Sequence, residues 1–277
     1  MKVADKVIAY ASGLESGKVL SVCKHFPGHG DTDVDSHKAL PVLPFTRERL
    51  DSVELYPFKE AIRAGVSGMM VGHLQVPVIE PIGDLPSSLS RNVVYGLLTE
   101  ELAFKGLIFT DALAMKGVAG NKSVCLQALQ AGNDLVLAPR RLKEEMDAVL
   151  EAVEKGELPE EEINAKCRKV LTYKYILGLE RKPFVKLSGL GTRINTPQTR
   201  DLISRLNLAA ITVLNNKNDV LPLHPDLKEA AILNVGKPEE IEPFDRKMKK
   251  YTSFARFQLR KDLPEAEQQK LRDSLAA

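Results

Sequence analysis

Four short apolar runs, each followed by a stretch of helical period, dictate what this chain can fold into. They cover residues 19–23, 68–72, 107–110 and 134–138, and the first three open onto Lys24-His25, His73 and Asp111. Short apolar runs bounded by Gly and Pro read as buried strands, whereas the stretches between them carry helical spacing. Strands that alternate with helices pair in parallel through right-handed crossovers. The expected fold is therefore α/β, and in a (β/α)8 barrel the chemistry gathers at the C-terminal strand ends. Four such units make the C-terminal half of a TIM-type barrel.

Taken in order, the chain opens on an amphipathic helix with Val3, Val7, Ile8 and Ala11 on one face. A chain that begins inside a helix and reaches its densest chemistry about twenty residues later is expected to lack its true N-terminal portion. An extended segment over 40–45 follows. Thr46 then caps a helix running from about Arg47 to Ala64, and Ser90 caps another from Arg91 to Leu102. Further helices are expected over 123–131, 141–155 and 160–177. The barrel portion is assigned to 1–178. Residues 179–199, rich in Gly, Pro, Arg and Lys, read as a linker. Residues 200–277 read as the beginning of a second α/β sheet, with strands at 210–214, 230–234 and 254–259 and helices near 200–208, 238–250 and 264–275.

The loop after the first strand is where chemistry concentrates. Lys24-His25-Phe26-Pro27-Gly28-His29-Gly30-Asp31-Thr32-Asp33-Val34-Asp35-Ser36-His37 holds three of the five histidines. Pro27 and Gly28 rule out a helix there and leave a loop that can bring side chains together. Bulk properties narrow the chemistry further. A formal net charge of +2 and the lack of a basic patch interleaved with aromatics give no reason to expect nucleic acid. No apolar run approaches the roughly 18 residues of a membrane span. Three scattered cysteines do not make a disulfide framework and read as small buried hydrophobes.

The loop from Lys24 to Thr32, with Asp35-Ser36-His37, strongly resembles the signature of family 3 glycoside hydrolases, in the β-N-acetylglucosaminidase (β-hexosaminidase) branch. Three further pieces match in the same order: Pro86-Ser87-Ser88-Leu89-Ser90, the stretch from Gly106 to Met115 with Asp111 inside it, and Ala131-Gly132-Asn133-Asp134-Leu135. The linker and the stretch from Ile211 to Leu223 resemble the start of that family's C-terminal α/β sandwich. The resemblance implies retaining hydrolysis of a terminal β-linked N-acetylhexosamine, without a cofactor. It assigns the nucleophile to Asp111, the acid/base to His37 polarised by Asp35, and sugar-hydroxyl contacts to Lys24 and His25. Retaining glycosidases ordinarily pair two carboxylates about 5–5.5 Å apart, and here an imidazole stands in for the second. Ala112 departs from members with a second Asp after the nucleophile. The family also draws an aspartate and an arginine for the substrate from the first half of the barrel, which this chain lacks. The implied partner is a carbohydrate, a β-GlcNAc-terminated oligosaccharide or peptidoglycan fragment; compartment is left open.

Read without the resemblance, the same residues have plainer roles. Asp111 is able to cap a following helix. Asp35 and His37 make a loop pair, and His29 bonds the loop that carries it. Asp31 and Asp33 order a turn, and His73 either lines a pocket or sits satisfied in the core. A metal-dependent hydrolase is a further alternative, since His25, His29, Asp31, Asp33, Asp35 and His37 offer ligands; Lys24 next door disfavours a bound cation. An inactive fragment that needs the missing half-barrel is another. Ser21-Val22-Cys23-Lys24 and the stretch from Gly13 to Val19 imitate a β-lactamase and a phosphate-loop motif, but neither has the required context.

Overall fold

The four apolar runs pair side by side as a parallel sheet in the order β1-β2-β3-β4, in a computed structural model that describes residues 2–34, 39–121, 123–181, 185–217, 221–223, 231–251, 253–260 and 262–276. The chain forms two compact units, Met1–Val185 and Lys186–Ala277. In the first, α1 (Lys2–Ser16) precedes β1 (Val22–Phe26), α2 (Arg47–Arg49) and α3 (Tyr56–Arg63) precede β2 (Gly68–Val71), and a wide π-type helix (Asn92–Glu101) precedes β3 (Leu107–Ala112). Then come α4 (Val124–Ala131), β4 (Leu135–Leu137), α5 (Leu142–Glu154) and α6 (Glu160–Ile176). This is the α/β succession expected from the sequence, with the parallel strands of half a (β/α)8 barrel. Among the described residues, no helix is long and apolar enough to cross a membrane.

Local chemistry explains the helix boundaries. Thr46 Oγ1 accepts from the Arg49 N–H at 3.3 Å, and Ser90 Oγ accepts from the Val93 N–H at 3.2 Å, so both expected caps form. The single helix expected over 47–64 is instead divided. Pro57 has no N–H to give the preceding turn, and its ring crowds the carbonyl four residues back. The chain responds with a π-type turn (Leu50–Glu54) in which Leu55 N–H bonds Leu50 O at 2.8 Å, and α3 restarts with Pro57 in its first turn.

The core fills the space between sheet and helices. Phe26, Leu43, Leu50, Leu55, Met69, Val71, Leu74, Val93 and Leu98 are all buried in one cluster. Leu89, Leu113, Val118, Val124, Cys125 and Ala128 form a second under β3 and α4. On α1, Ala4 and Ala11 are buried while Val3 faces solvent, so the inward face is rotated from the expected one. Cys23 and Cys125 are buried, but Cys167 is exposed, because α6 has no buried residue. At the N-terminal strand ends, Glu15 Oε1 accepts from Ser67 N–H at 3.0 Å, and Asp134 Oδ2 accepts from Ile108 N–H at 2.9 Å and Lys169 Nζ at 2.7 Å. Asp134 therefore ties the entrances of β3 and β4 and does not belong with the polar residues at the opposite rim.

The second unit contains α7 (Leu190–Ile194), α8 (Pro197–Ala210), β5 (Ala231–Val235), α9 (Pro238–Met248), β6 (Ala255–Leu259) and α10 (Glu265–Ala276). The span 179–199 thus contributes a 3₁₀ turn (Leu179–Arg181), one short helix and the start of another. β5 and β6 pair in parallel from Ala231 opposite Ala255 to Val235 opposite Leu259. The strand expected over 210–214 does not form. Ala210 ends α8, and Ile211, Val213 and Leu214 stay exposed. Propensity favours extended backbone there, but a strand exists only with a neighbour, and β5 pairs with β6 alone among the described residues.

Candidate active site

Three adjacent strands deliver His25, His73 and Asp111 to one rim. β1 and β3 flank β2, so His25 must reach across the end of β2 to meet Asp111. Gly72, just past β2, makes room: a Cβ there would stand 3.1 Å from the Cβ of His25. His25 Nε2 then lies 3.5 Å from Asp111 Oδ2. The other carboxylate oxygen, Oδ1, accepts from the Ala112 N–H at 2.7 Å. Asp111 therefore caps no helix; the next α-helix begins at Val124, preceded by Ser123. Its carboxylate is fixed at one oxygen and faces an imidazole with the other.

Burial controls the protonation of the two histidines beside it. Half-buried His25 is pushed below its ordinary 6.5 chiefly by desolvation, with Lys24, His29 and His73 adding to the shift and Asp111 opposing it. His73 is lowered in the same way, against the Ala112 backbone bond and the Asp111 charge. Both rings are neutral near pH 7. Lys24 is exposed on β1 and lines, with His25, His29 and Asp31, a cavity of about 940 Å³ that continues along α1. The Lys24–His25 and Phe26–Pro27 peptides are both cis.

The loop beyond β1 is braced from below. Gly28 has φ of +139°, and a Cβ there would fall 2.7 Å from the Cβ of Glu54, so the loop rests directly on that side chain. Arg49 bridges Glu54 at 3.0 Å and Asp31 at 2.8 Å while its guanidinium lies over the Phe45 ring. His29 Nδ1 is 2.7 Å from Thr32 Oγ1, which makes it a loop-ordering residue. Asp35 and His37 lie outside the described residues. Among the described residues, no three His, Cys, Asp or Glu side chains gather as a metal site.

His73 resolves as a core histidine with both ring nitrogens engaged. Nδ1 is 2.7 Å from Ser88 Oγ and Nε2 is 3.1 Å from Ala112 O. Ser87 Oγ donates to Gly72 O at 2.7 Å and accepts from Leu74 N–H at 3.2 Å. Asn133 Nδ2 donates to Ser88 O at 2.9 Å and to Ala128 O at 2.8 Å. Sequence reasoning assigned no role to Ser87, Ser88, Asn133, Arg49 or Glu54. The first three lie inside segments that carry the resemblance; for the other two, no spacing signals where their side chains land.

Known proteins resemble this chain over the residues that carry the site. The model of the glycosyl hydrolase family 3 N terminal domain matches residues 2–173. Beta-hexosaminidase A of Pseudoalteromonas piscicida is 32% identical over 238 residues, which cover 78% of this chain and 39% of that protein. The beta-hexosaminidase of Nitrosospira multiformis is 39% identical over 138 residues, covering 49% of this chain and 39% of that one. A family 3 beta-N-acetylglucosaminidase structure from Paenibacillus sp. superposes with a TM-score of 0.83 at 32% identity, over 97% of this chain and 53% of that one. The chain thus spans between two fifths and about half of these relatives. With a matched domain that fills most of its first unit, the chain belongs to glycosyl hydrolase family 3.

Proposed function

We propose that the chain carries the catalytic residues of a retaining β-N-acetylhexosaminidase. The observation that supports this most is the carboxylate of Asp111 at the end of β3, bonded at Oδ1 by the Ala112 N–H and 3.5 Å from the imidazole of His25 at Oδ2. A carboxylate held on a strand end keeps its orientation as a sugar docks, which a nucleophile requires. In the first step an Asp111 oxygen bonds to the anomeric carbon as the glycosidic bond breaks. The departing oxygen takes a proton from His37, whose imidazolium Asp35 stabilises. In the second step water attacks the anomeric carbon, its proton returns to His37, and Asp111 is released. Lys24 and neutral His25 donate hydrogen bonds to sugar hydroxyls. Relatives named as beta-hexosaminidases support a terminal β-linked N-acetylglucosamine as the substrate.

The test is release of nitrophenol from its β-N-acetylglucosaminide by this chain, with the Asp111→Asn and His37→Ala variants beside it. Turnover abolished by Asp111→Asn and indifferent to chelator supports the proposal; loss on chelation supports the metal-dependent alternative. Turnover that appears only when the remaining length of a relative's catalytic domain is supplied supports the fragment alternative, with the residue roles intact. Turnover unaffected by Asp111→Asn contradicts the proposal.

A further inference from the structure

The nucleophile strand is held by a chain of hydrogen bonds that leads away from the sugar. Ala112 is bonded at both ends of its backbone: its N–H reaches Asp111 Oδ1 at 2.7 Å, and its carbonyl receives both His73 Nε2 at 3.1 Å and the Met115 N–H at 3.0 Å. A carbonyl oxygen only accepts, so Nε2 carries the ring proton. Nδ1 of the neutral ring is then an acceptor, and Ser88 Oγ donates to it across 2.7 Å. Ser88 is itself fixed through its carbonyl by Asn133. His73 is 1% exposed and Ser88 is fully buried, so water does not compete for the bond between them.

We propose that His73, locked by Ser88 as the Nε2–H tautomer, is a positioning residue that sets the carboxylate of Asp111 by holding the Ala112 carbonyl. It touches neither substrate nor reacting atoms. Turning the Ala112 residue about its backbone would swing its N–H away from Asp111 Oδ1 and free that carboxylate to rotate, and the His73 bond opposes this turn. The inference rests on Asp111 being the nucleophile, but its geometry can be read whether or not the chain hydrolyses anything.

The side-chain amides provide the test. Glutamine places a donor where Nε2 stands, whereas asparagine reaches only the Nδ1 position. In the whole chain, ¹⁵N shifts are expected to report His73 as neutral and protonated at Nε2 at pH 7. In His73→Asn, the Ala112 amide is expected to exchange with solvent about tenfold faster or more, the worth of one hydrogen bond. Thr110 should be unchanged, and His73→Gln should restore most of the protection. Where the chain turns over substrate, His73→Asn should lower kcat with KM nearly constant. Should His73→Asn fail to fold, Ser88→Ala carries the test, because it frees the ring to change tautomer. A charged or Nδ1-protonated His73 would overturn the inference. So would Ala112 exchange that is unchanged in His73→Asn, or in Ser88→Ala where that variant carries the test. Loss of turnover by the unaltered chain, with these exchange results intact, would count against the proposed function and not against this bond network.

Discussion

The segment after β2 and the end of β1 with its loop both serve the end of β3, His73 at the Ala112 carbonyl and His25 at the Asp111 carboxylate, and they are built differently. On the β2 side, Ser87, Ser88, His73 and Asn133 are almost wholly buried, and bonds join them to one another or to the backbone of the strand ends. On the β1 side, Lys24 and Asp31 are exposed and His25 and Arg49 are half-buried; the loop is held by one ion-paired arginine and by Gly28 resting on Glu54. Hydrogen bonds shielded from water fix geometry, whereas an ion pair open to solvent, as Arg49–Asp31 is, contributes little and is screened by salt. Asp111, the proposed nucleophile, therefore sits on the rigid side. The residues proposed to meet sugar sit on the side open to solvent.

The largest expected effect tests the rigid side. Asp111→Asn keeps an oxygen able to accept from Ala112 N–H, so thermal unfolding should barely move while kcat falls on the order of 10⁴–10⁶-fold. A loss within tenfold would remove Asp111 from its role. For the proposed acid/base pair, His37→Ala and Asp35→Asn should cost about 10²–10⁴-fold against an unactivated leaving group and far less against nitrophenol, which needs no acid. Equal losses on both substrates would count against His37 as the acid.

Stability changes come next. Gly28→Ala combines positive φ with a clash on the Glu54 side chain, and should destabilise by about 2–4 kcal/mol in denaturant unfolding. Ser87→Ala removes the bond to Gly72 O and leaves Leu74 N–H unpaired, at a cost of about 1–3 kcal/mol. A negligible change in Ser87→Ala would mean that the β2 side is not held as described. The smallest effect is a pH dependence. Folding lowers the pKa of His25 and His73 below 6.5, so the unfolded chain binds more protons. Stability should be unaffected by these groups above that value and fall as pH drops through it toward the folded-state values. Urea midpoints measured between pH 7 and 5 check this, and His73→Gln should flatten the slope. A slope identical in the variant would discard His73 as a contributor.

Much of this organisation was legible in the sequence. Helical and strand periods identify the βα units because burial on one face or both is written in apolar spacing. Asp111 is legible because its flanking residues are distinctive. The helix division at Leu50–Glu54 was not read, although Pro57 announces it, since apolar spacing runs through the break. The absence of a strand at 210–214 is not legible, because propensity is local and a ladder partner is not. Ser87, Ser88 and Asn133 act through where their loops land, and two serines after a proline look like any turn. His73 was ambiguous for the same reason: its partners are a serine 15 residues later and a carbonyl 39 residues later.

One measurement bears most directly on Asp111. Incubating the chain with a 5-fluoro-N-acetylglucosaminyl fluoride, which forms a glycosyl-enzyme faster than it is hydrolysed, should add a single sugar to the protein. Peptide mapping by mass spectrometry should place that sugar on the peptide containing Asp111, and Asp111→Asn should abolish the label. A label on any other carboxylate, or turnover of substrate by Asp111→Asn at the rate of the unaltered chain, would contradict the account.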